Sequence, residues 1–150
     1  DAFSLIEKVV DIAIAAQCAE AVGAMSVMHE MTVDYLKTRK QFGVPIGNFQ
    51  VLQHRAAEML IAVEQARSMA MLAAITAEDE NVAERRKAIS AAKVQICNSS
   101  RLVGQQATQL HGGIGMTMEY AVGHYFRRVT AIAATFGDAA YHLDILARAG

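Results

Sequence analysis

The sequence has no tryptophan, a single proline (Pro45) and only two cysteines among its 150 residues. Scarce proline together with common alanine and methionine favours long helices over sheet. Cys18 and Cys97 lie far apart and match no metal-ligand spacing, so we expect reduced thiols in a cytoplasmic protein. The net charge of -1 and the lack of a basic run argue against nucleic acid as a partner.

Apolar residues make up 53% of the chain, enough for one domain with a sizeable core. No apolar stretch approaches the roughly 20 residues that span a bilayer, and no signal-peptide pattern opens the chain. We therefore expect no contact with a membrane. The five histidines match no metal-ligand spacing, and no metal site is predicted.

Hydrophobic periodicity predicts four main helices and a short fifth. The predicted spans are about Phe3–Arg39, Asn48–Ala77, Val82–Leu110, Met118 or Glu119 to Ala134, and Gly137–Ala147. Asn48 is the expected cap of the second helix, whose apolar seam runs from Leu52 to Ala73 at alternating spacings of four and three. Long helices joined by short connections predict an all-α, up-down four-helix bundle with an additional short C-terminal helix.

On the first helix, small and apolar residues also recur at spacings of three and four, which indicates a packing face. Its members are Val9, Ile12, Ala16, Ala19, Gly23, Val27 and Met31. The third helix carries polar residues along one side, at Asn98, Gln105 and Gln109. Arg127 and Arg128 on the fourth helix are expected to form ion pairs with another helix rather than to take part in catalysis.

Two loops hold residue types that bind anions. Arg39 stands at the end of the first helix before Gly43, and a guanidinium in that place can bind phosphate or complement the negative end of the helix. Gly112, Gly113 and Gly115 follow the third helix, where glycines either let a ligand approach the backbone or simply form a helix cap and turn. No strand precedes this loop, so it is not the dinucleotide fingerprint of a βαβ unit.

Taken together, these loops resemble the acyl-CoA dehydrogenase family. The matching segments are Tyr35–Gly43, Ile46–Gln50, Gln109–Gly115 and Glu119–Tyr120. The resemblance covers essentially the whole chain but only the last third or so of a typical member. We therefore expect residues 1–150 to form the C-terminal helical bundle domain, with the family's N-terminal helical and middle β domains absent from this sequence.

The resemblance implies α,β-dehydrogenation of an acyl-CoA by an FAD enzyme that assembles as a homo- or hetero-oligomer through the bundle. Arg39 would hold the pyrophosphate of a neighbouring subunit's FAD, and Phe42 would pack near the adenine side. An interface of this kind would also satisfy the polar side of the third helix. The residues that the resemblance assigns to FAD are Arg39, Gln41, Phe42, Gln109, Gly112 and Gly113.

The catalytic glutamate of the family has no counterpart in this sequence. When Arg127 is aligned with the arginine of the family's fourth-helix motif, the catalytic glutamate falls at Phe136 and the flavin-contacting threonine at Asp138. The position used by a minority of members, on the first helix, falls at Ala13. Since neither Phe136 nor Ala13 can accept a proton, no catalytic residue is assigned. Because the N-terminal and middle domains that cover the flavin ring in the family are absent from this sequence, we expect the isolated chain to be inactive and to bind FAD weakly or not at all.

Several explanations follow from that departure. The chain can be the partner subunit of a heteromeric acyl-CoA dehydrogenase, in which another chain supplies the base. It can be a homomeric enzyme with a relocated base such as Asp138, although two residues along a helix turn a side chain by about 200°. It can be a flavin-dependent monooxygenase of the same fold, which needs no such base. The non-enzymatic alternative is an assembly or scaffold domain.

Overall fold

Five α-helices make up most of the structure, a computed structural model that describes residues 2–149. They are α1 (Ala2–Thr38), α2 (Gln50–Thr76), α3 (Val82–His111), α4 (Ala121–Ala134) and α5 (Ala139–Arg148). The α1–α2 connection contains two short antiparallel strands, β1 (Lys40–Gln41) and β2 (Val44–Pro45), and a 3₁₀ turn, Ile46–Asn48. A second 3₁₀ turn, Gly112–Met116, follows α3. The predicted all-α class is confirmed, and each helix lies close to its predicted span.

Helices that are neighbours in the sequence pack antiparallel. Between α2 and α3, Ser99 donates a hydrogen bond to the carbonyl of Ala62, and Gln95 donates to Gln65, so the residue numbers run in opposite directions. The same opposed order joins α1 to α2, α3 to α4 and α1 to α4. The up-down bundle is therefore confirmed, with α5 packed chiefly on α3.

The diagonal pair α1 and α3 runs parallel. Asp11 accepts a hydrogen bond from the Nε of Arg85 at 2.9 Å, and Ser100 donates to the sulfur of Met25. Both contacts join residues about 75 positions apart in the sequence. Small residues on α3, such as Ala92, allow the two helices to approach across the middle of the bundle.

The packing faces were predicted with unequal success. The seam of α2 is confirmed, because the residues from Met59 to Ala73 on it are buried. The face proposed for α1 is wrong: Val9 is 58% and Ile12 41% exposed, whereas the buried face includes Cys18 and Met25. Apolar residues lie on both sides of α1, so its periodicity could not select the side that packs inside this chain.

The ends of three helices differ from prediction. Asn48 does not cap α2: it lies in the 3₁₀ turn, and the N-cap Phe49 is extended with no side-chain bond. Helix α4 begins at Ala121, so Glu119 precedes it and is not in its first turn. Asp138 is not inside α5 but caps it, accepting a hydrogen bond from the backbone N–H of Tyr141 at 2.9 Å.

Two helices, α1 and α2, are long and apolar enough to cross a membrane by length and composition alone. The expectation that no apolar stretch reaches that length is wrong on this criterion. Core helices of soluble proteins pass the same criterion, and 44% and 33% of the two apolar windows are buried within the bundle. The absence of membrane contact therefore stays a prediction.

Candidate functional site

A tight hairpin positions the first candidate loop. The backbone N–H of Ile46 donates to the carbonyl of Arg39 at 2.8 Å, and Gln41 pairs with Val44. The two residues at the tip, Phe42 (φ 54°) and Gly43 (φ 81°), are both left-handed, as a two-residue type I′ turn requires. Phenylalanine rarely adopts this conformation, so the hairpin holds Phe42 at a conformational cost.

The two candidate loops line one groove of about 530 Å³ between the ends of α1, α2 and α3. Five of the six residues that the resemblance assigned to FAD line it: Arg39, Gln41, Gln109, Gly112 and Gly113. The structure thus brings together residues about 70 positions apart in the sequence. Their contact with FAD stays a prediction.

The sixth residue, Phe42, lies outside this lining. Its side chain is 90% exposed at the hairpin tip, and its ring meets that of Phe49 edge to face, with centroids 6.0 Å apart. A large apolar ring so exposed has a surface to offer to a ligand or another chain.

Gly113 has no structural reason within this chain to be glycine. Its φ is not left-handed, and a Cβ added to it would meet no other atom within 4 Å. Gly112 differs, because its φ of 62° favours glycine at the end of α3. Open space above a glycine that local packing does not require is consistent with close approach by a ligand from outside the chain.

The sequence analysis gave no role to two other residues of the groove, Arg55 and His111. Arg55, on the second turn of α2, is half-buried and lines the groove, and sequence periodicity marked it only as lying off the α2 seam. His111 is buried against the rings of Tyr35 and Tyr120, with centroids 4.6 and 4.9 Å away. A groove between helix ends collects such residues from separate elements, which no local sequence pattern reveals.

Burial sets the ionisation of His111. Desolvation lowers its pKa below the usual 6.5, although the backbone carbonyls of Ala107 and Met31 act in the opposite direction. Its Nδ1 lies 2.8 Å from the carbonyl of Ala107, and its Nε2 is buried without a hydrogen bond. The ring therefore borders the groove as a neutral imidazole that adds no positive charge.

The polar side of α3 lines two further grooves rather than the core. Gln105 and Gln109 border one of about 400 Å³ beside the Gly112–Gly113 segment, and Asn98 and Gln105 border another of about 520 Å³ towards α5. All three polar side chains are exposed. They remain available to another domain or chain, as expected for a polar line at an interface.

The loop between α4 and α5 holds Phe136, the position that the resemblance gives to the catalytic base. Phe136 is left-handed (φ 57°), and its carbonyl lies 3.0 Å from the Nε2 of His142. The Nδ1 of His142 lies 3.1 Å from the Oγ of Ser90. Burial, more than any other influence, lowers the pKa of His142, so it is neutral and its Nε2 donates to Phe136.

Phe136 lines a cavity of about 240 Å³ between α1, α3 and α5. Each acidic side chain of residues 2–149 that borders this cavity is already bound. Glu7 accepts from Arg86 at 2.7 Å, and Asp11 accepts from Arg85 at 2.9 Å. Ala13, the other base position, is half-buried on α1 beside the cavity-lining Ile14.

Asp138, the alternative base, borders a different cavity from Phe136, the groove beside Asn98 and Arg101. Its carboxylate is engaged in capping α5. Asp138 and Phe136 therefore face different cavities, which disfavours Asp138 as a relocated base. The two residues are separated by the geometry of the α4–α5 loop and not, as expected from the sequence, by a rotation along a helix.

Ion pairing accounts for one of the two arginines of α4. Arg128 binds both carboxylate oxygens of Glu20 on α1, at 2.6 and 2.9 Å, and this hydrogen bonding lowers the pKa of Glu20. The expected pair with another helix is confirmed for Arg128. Arg127 instead contacts His124 and the sulfur of Met118.

Among residues 2–149, no group of three His, Cys, Asp or Glu side chains could hold a metal ion. Cys18 and Cys97 are buried free thiols, as predicted. The groove beside Arg39 is chemically different: guanidinium groups and glycines line it, and no carboxylate of a described residue does. This lining fits a phosphate-bearing ligand and does not fit a cation.

Comparison with known proteins identifies the family and the fold. The family model for the acyl-CoA dehydrogenase C-terminal domain matches residues 3–150. The acyl-CoA dehydrogenase IpdE2 of Mycolicibacterium smegmatis is 35% identical over 127 residues, which are 85% of this chain and 39% of that protein.

Two solved structures have the same fold. A variant of the Tcur3481-Tcur3483 steroid ACAD is 34% identical, with a TM-score of 0.87 over 93% of this chain and 38% of that one. PigA, solved with FAD and proline, is 26% identical, with a TM-score of 0.81 over 91% of this chain and 35% of that one. The chain thus spans little more than a third of the length of each relative. The helical bundle, the two loops and these matches together show that the chain belongs to the acyl-CoA dehydrogenase family and corresponds to that family's C-terminal domain.

Proposed function

We propose that this chain is the helical domain of a subunit in a heteromeric, FAD-dependent acyl-CoA dehydrogenase. In this proposal it contributes FAD contacts across a subunit interface, and another chain supplies the base that removes the substrate α-proton. Bound FAD supplies the acceptor for the substrate β-hydride. The residues of this chain bind and orient the cofactor.

The observation that carries the proposal is the lack of an available base beside Phe136. In the described part of the chain, the acidic groups that border its cavity are held by Arg85 and Arg86, and His142 donates its Nε2 proton to the Phe136 carbonyl. A general base needs a free lone pair within reach of the proton it removes. The groove at Arg39, by contrast, keeps its cations and glycines unobstructed.

The residues of the groove have distinct roles in holding FAD. Arg39 makes no side-chain ion pair with any described residue, so its donors are available to the diphosphate. The open face of Gly113 allows the cofactor to approach the backbone. Gln41 and Gln109 add neutral hydrogen-bonding groups on either side, and Phe42 offers an exposed ring for apolar contact.

The relatives support the heteromeric reading. The name of the Tcur3481-Tcur3483 steroid ACAD joins two designations, as the name of a two-subunit protein would, and this chain is 34% identical to the chain it matches there. The alternatives are weaker. The capping role of Asp138 disfavours a relocated base, and no observation specifically favours a monooxygenase. A scaffold domain would leave the unneeded glycine at position 113 unexplained.

Reconstitution tests the proposal directly. The complete protein that contains this chain is mixed with an acyl-CoA dehydrogenase subunit from the same organism that retains the catalytic glutamate. We expect visible flavin absorbance and acyl-CoA oxidation only in the mixture. Turnover of an acyl-CoA by the isolated chain, or by a homomer of the complete protein, would overturn the proposal.

Gly113→Ala supplies the matched variant for that experiment. Its Cβ meets no atom of the chain, so we expect unchanged stability together with reduced flavin retention in the mixture. Gly23→Ala, on the exposed side of α1 with equally open surroundings, is the control. Full flavin retention by Gly113→Ala would contradict the role given to this loop, and a mixture that never takes up flavin would favour the scaffold.

A further inference from the structure

The groove beside Arg39 holds a second guanidinium, that of Arg55. Arg55 projects from α2 into the lining of the groove and is half-buried. It makes no hydrogen bond or ion pair with any residue that the structure describes, in contrast to the arginines at 85, 86 and 128. A guanidinium cannot shed its charge, so partial burial without a partner leaves an unmet demand for an anion.

The helix ends around the groove explain why one arginine is insufficient. Helices α1 and α3 end beside it, and each C-terminal end carries roughly half a negative charge, while the start of α2 contributes roughly half a positive charge. The charge of Arg39 alone therefore little more than offsets the helix dipoles. That would be the purely structural role, in which Arg39 complements the negative end of α1. With Arg55 the groove has a clear excess of positive charge.

Neither of the other ionisable side chains of the lining changes this balance. Desolvation keeps His111 neutral by lowering its pKa, and Tyr35 packs against it. No carboxylate from the described part of the chain lines the groove to neutralise either guanidinium. Two cations that come from separate elements and line the same groove suit an anion with two charged groups better than a single phosphate.

We propose that Arg55 is a second phosphate ligand in this groove, acting with Arg39 to select a diphosphate over a monophosphate. The inference rests on the proposed function, since the diphosphate would be that of FAD. It goes further by assigning a binding role to a residue outside the two loops. If Arg55 served only to stabilise the fold, its guanidinium would need a hydrogen-bond or ion-pair partner within the chain. Arg55 has no such partner among the described residues.

Titration of the chain with inorganic pyrophosphate and with inorganic phosphate, followed through the backbone amide resonances of Gly112 and Gly113, tests this inference. We expect pyrophosphate to bind the wild-type chain about tenfold more tightly than phosphate. Arg55→Gln should weaken pyrophosphate binding about tenfold and remove the preference, whereas Arg39→Gln should weaken both anions. Arg101→Gln, on the exposed side of α3 outside this groove, is the control and should change neither.

The outcomes separate the inference from the proposed function. Pyrophosphate binding that depends on Arg39 but not on Arg55 would overturn the inference and leave the heteromeric proposal intact. Equal affinity of the wild-type chain for the two anions, or no binding of either, would also overturn it. Flavin uptake in the subunit mixture is measured separately, so its failure would reject the proposed function even where Arg55 binds pyrophosphate. Thermal melting of each variant excludes loss of folding as the cause.

Discussion

The buried ammonium of Lys93 donates a hydrogen bond to the carbonyl oxygen of Thr135 at 2.8 Å. Lys93 also bonds the carbonyl of Ile132, and the Sγ of Cys97 donates to the carbonyl of Ala133. Side chains of α3 thus bind carbonyls at and just beyond the end of α4, where the carbonyl of Ile132 also accepts the backbone N–H of Thr135 at 3.2 Å, and a positive charge lies at the negative end of that helix. These hydrogen bonds hold the end of α4 against α3, directly before the loop that begins with Phe136.

Replacement of Lys93 tests how much this cap contributes. Lys93→Met keeps much of the side-chain volume but removes the hydrogen bonds to both carbonyls, of which that of Ile132 keeps the backbone N–H of Thr135 as a partner, so we expect a loss of about 1–3 kcal/mol in the free energy of unfolding. Urea unfolding followed by circular dichroism measures it. Lys87→Met, at an exposed position of α3, is the control. A loss below about 0.5 kcal/mol would contradict the capping role of Lys93.

The buried and exposed ion pairs should differ strongly in energy. The side chains of Arg85 and Asp11 are only 4% and 13% exposed, and Arg85 also bonds the carbonyl of Asp79. Asp11→Asn leaves that guanidinium without its counter-charge and should cost about 3 kcal/mol in unfolding free energy. Asp144→Asn breaks a pair with Arg148 whose side chains are 56% and 78% exposed, and should cost about 0.5 kcal/mol or less. Similar losses in both variants would refute this difference.

Two glycines are expected to respond in opposite directions to substitution by alanine. A Cβ at Gly104 would lie 2.1 Å from the ring of Phe126, and Gly104→Ala should destabilise the bundle by about 1–3 kcal/mol. A Cβ at Gly23 meets nothing within 4 Å, and Gly23→Ala should stabilise α1 by about 0.5–1 kcal/mol. Thermal melting of both variants tests the pair. A stabilised Gly104→Ala variant would show that Phe126 can move aside.

Stability should fall on mild acidification because of two buried histidines. Burial lowers the pKa of both His111 and His142 below 6.5, so between 6.5 and those lowered values the unfolded chain binds more protons than the folded one. For His142 the nearby Lys93 and Arg86 add to the lowering, and Asp138 opposes it. The stabilisation is complete above pH 6.5 and is lost as pH falls, by about 1.4 kcal/mol per pH unit for each histidine.

Denaturant unfolding at a series of pH values from about 5 to about 7.5 measures how the free energy of unfolding changes with pH. This interval extends at least about one pH unit to either side of the ordinary histidine pKa. His142→Gln should reduce this pH dependence, because the variant loses one of the two linked protons. His54→Gln, at an exposed position of α2, is the control and should retain the wild-type slope. A pH-independent stability in the wild-type chain would disprove the linkage.

Substitution of Phe42 at the hairpin tip should raise the stability of the chain and weaken its contact with the ligand. Asparagine before glycine is the preferred pair for a type I′ turn, so Phe42→Asn should relieve the left-handed phenylalanine and raise stability by about 0.5–1 kcal/mol. The same change removes the exposed ring proposed to pack on the cofactor. We therefore expect a higher melting temperature together with weaker flavin retention in the reconstituted complex. Unchanged flavin retention would remove Phe42 from the proposed site.

Sequence patterns predicted the helices well and their packing faces less well. The α2 seam was read correctly because its exposed side is interrupted by charged and polar residues such as Glu58 and Glu64. The face of α1 was misjudged because Val9 and Ile12 are as apolar as the residues that are buried. An apolar face left exposed in one chain follows the same period as a core face, and periodicity cannot distinguish the two.

The candidate site was predicted in its loops but not in its surroundings. Arg39 and Gly113 were found because each stands in a recognisable local segment. Arg55 and His111 were not, since their place in the groove depends on how three helix ends meet. The caps were partly missed for a similar reason: Asn48 has the right side chain for a cap, but the hairpin places it one residue too early in a 3₁₀ turn.

The parallel contact between α1 and α3 has a consequence for how the chain reaches its native state. Asp11 and Arg85 are 74 residues apart, so during translation α1 emerges long before the helix that completes its packing. Until α3 is synthesised, α2 is the only helix of this bundle on which α1 can pack, and the side of α1 that contacts α3 stays uncovered. The α1–α2 hairpin is thus the natural early folding unit, and the groove at its turn is half assembled before the glycine loop is synthesised.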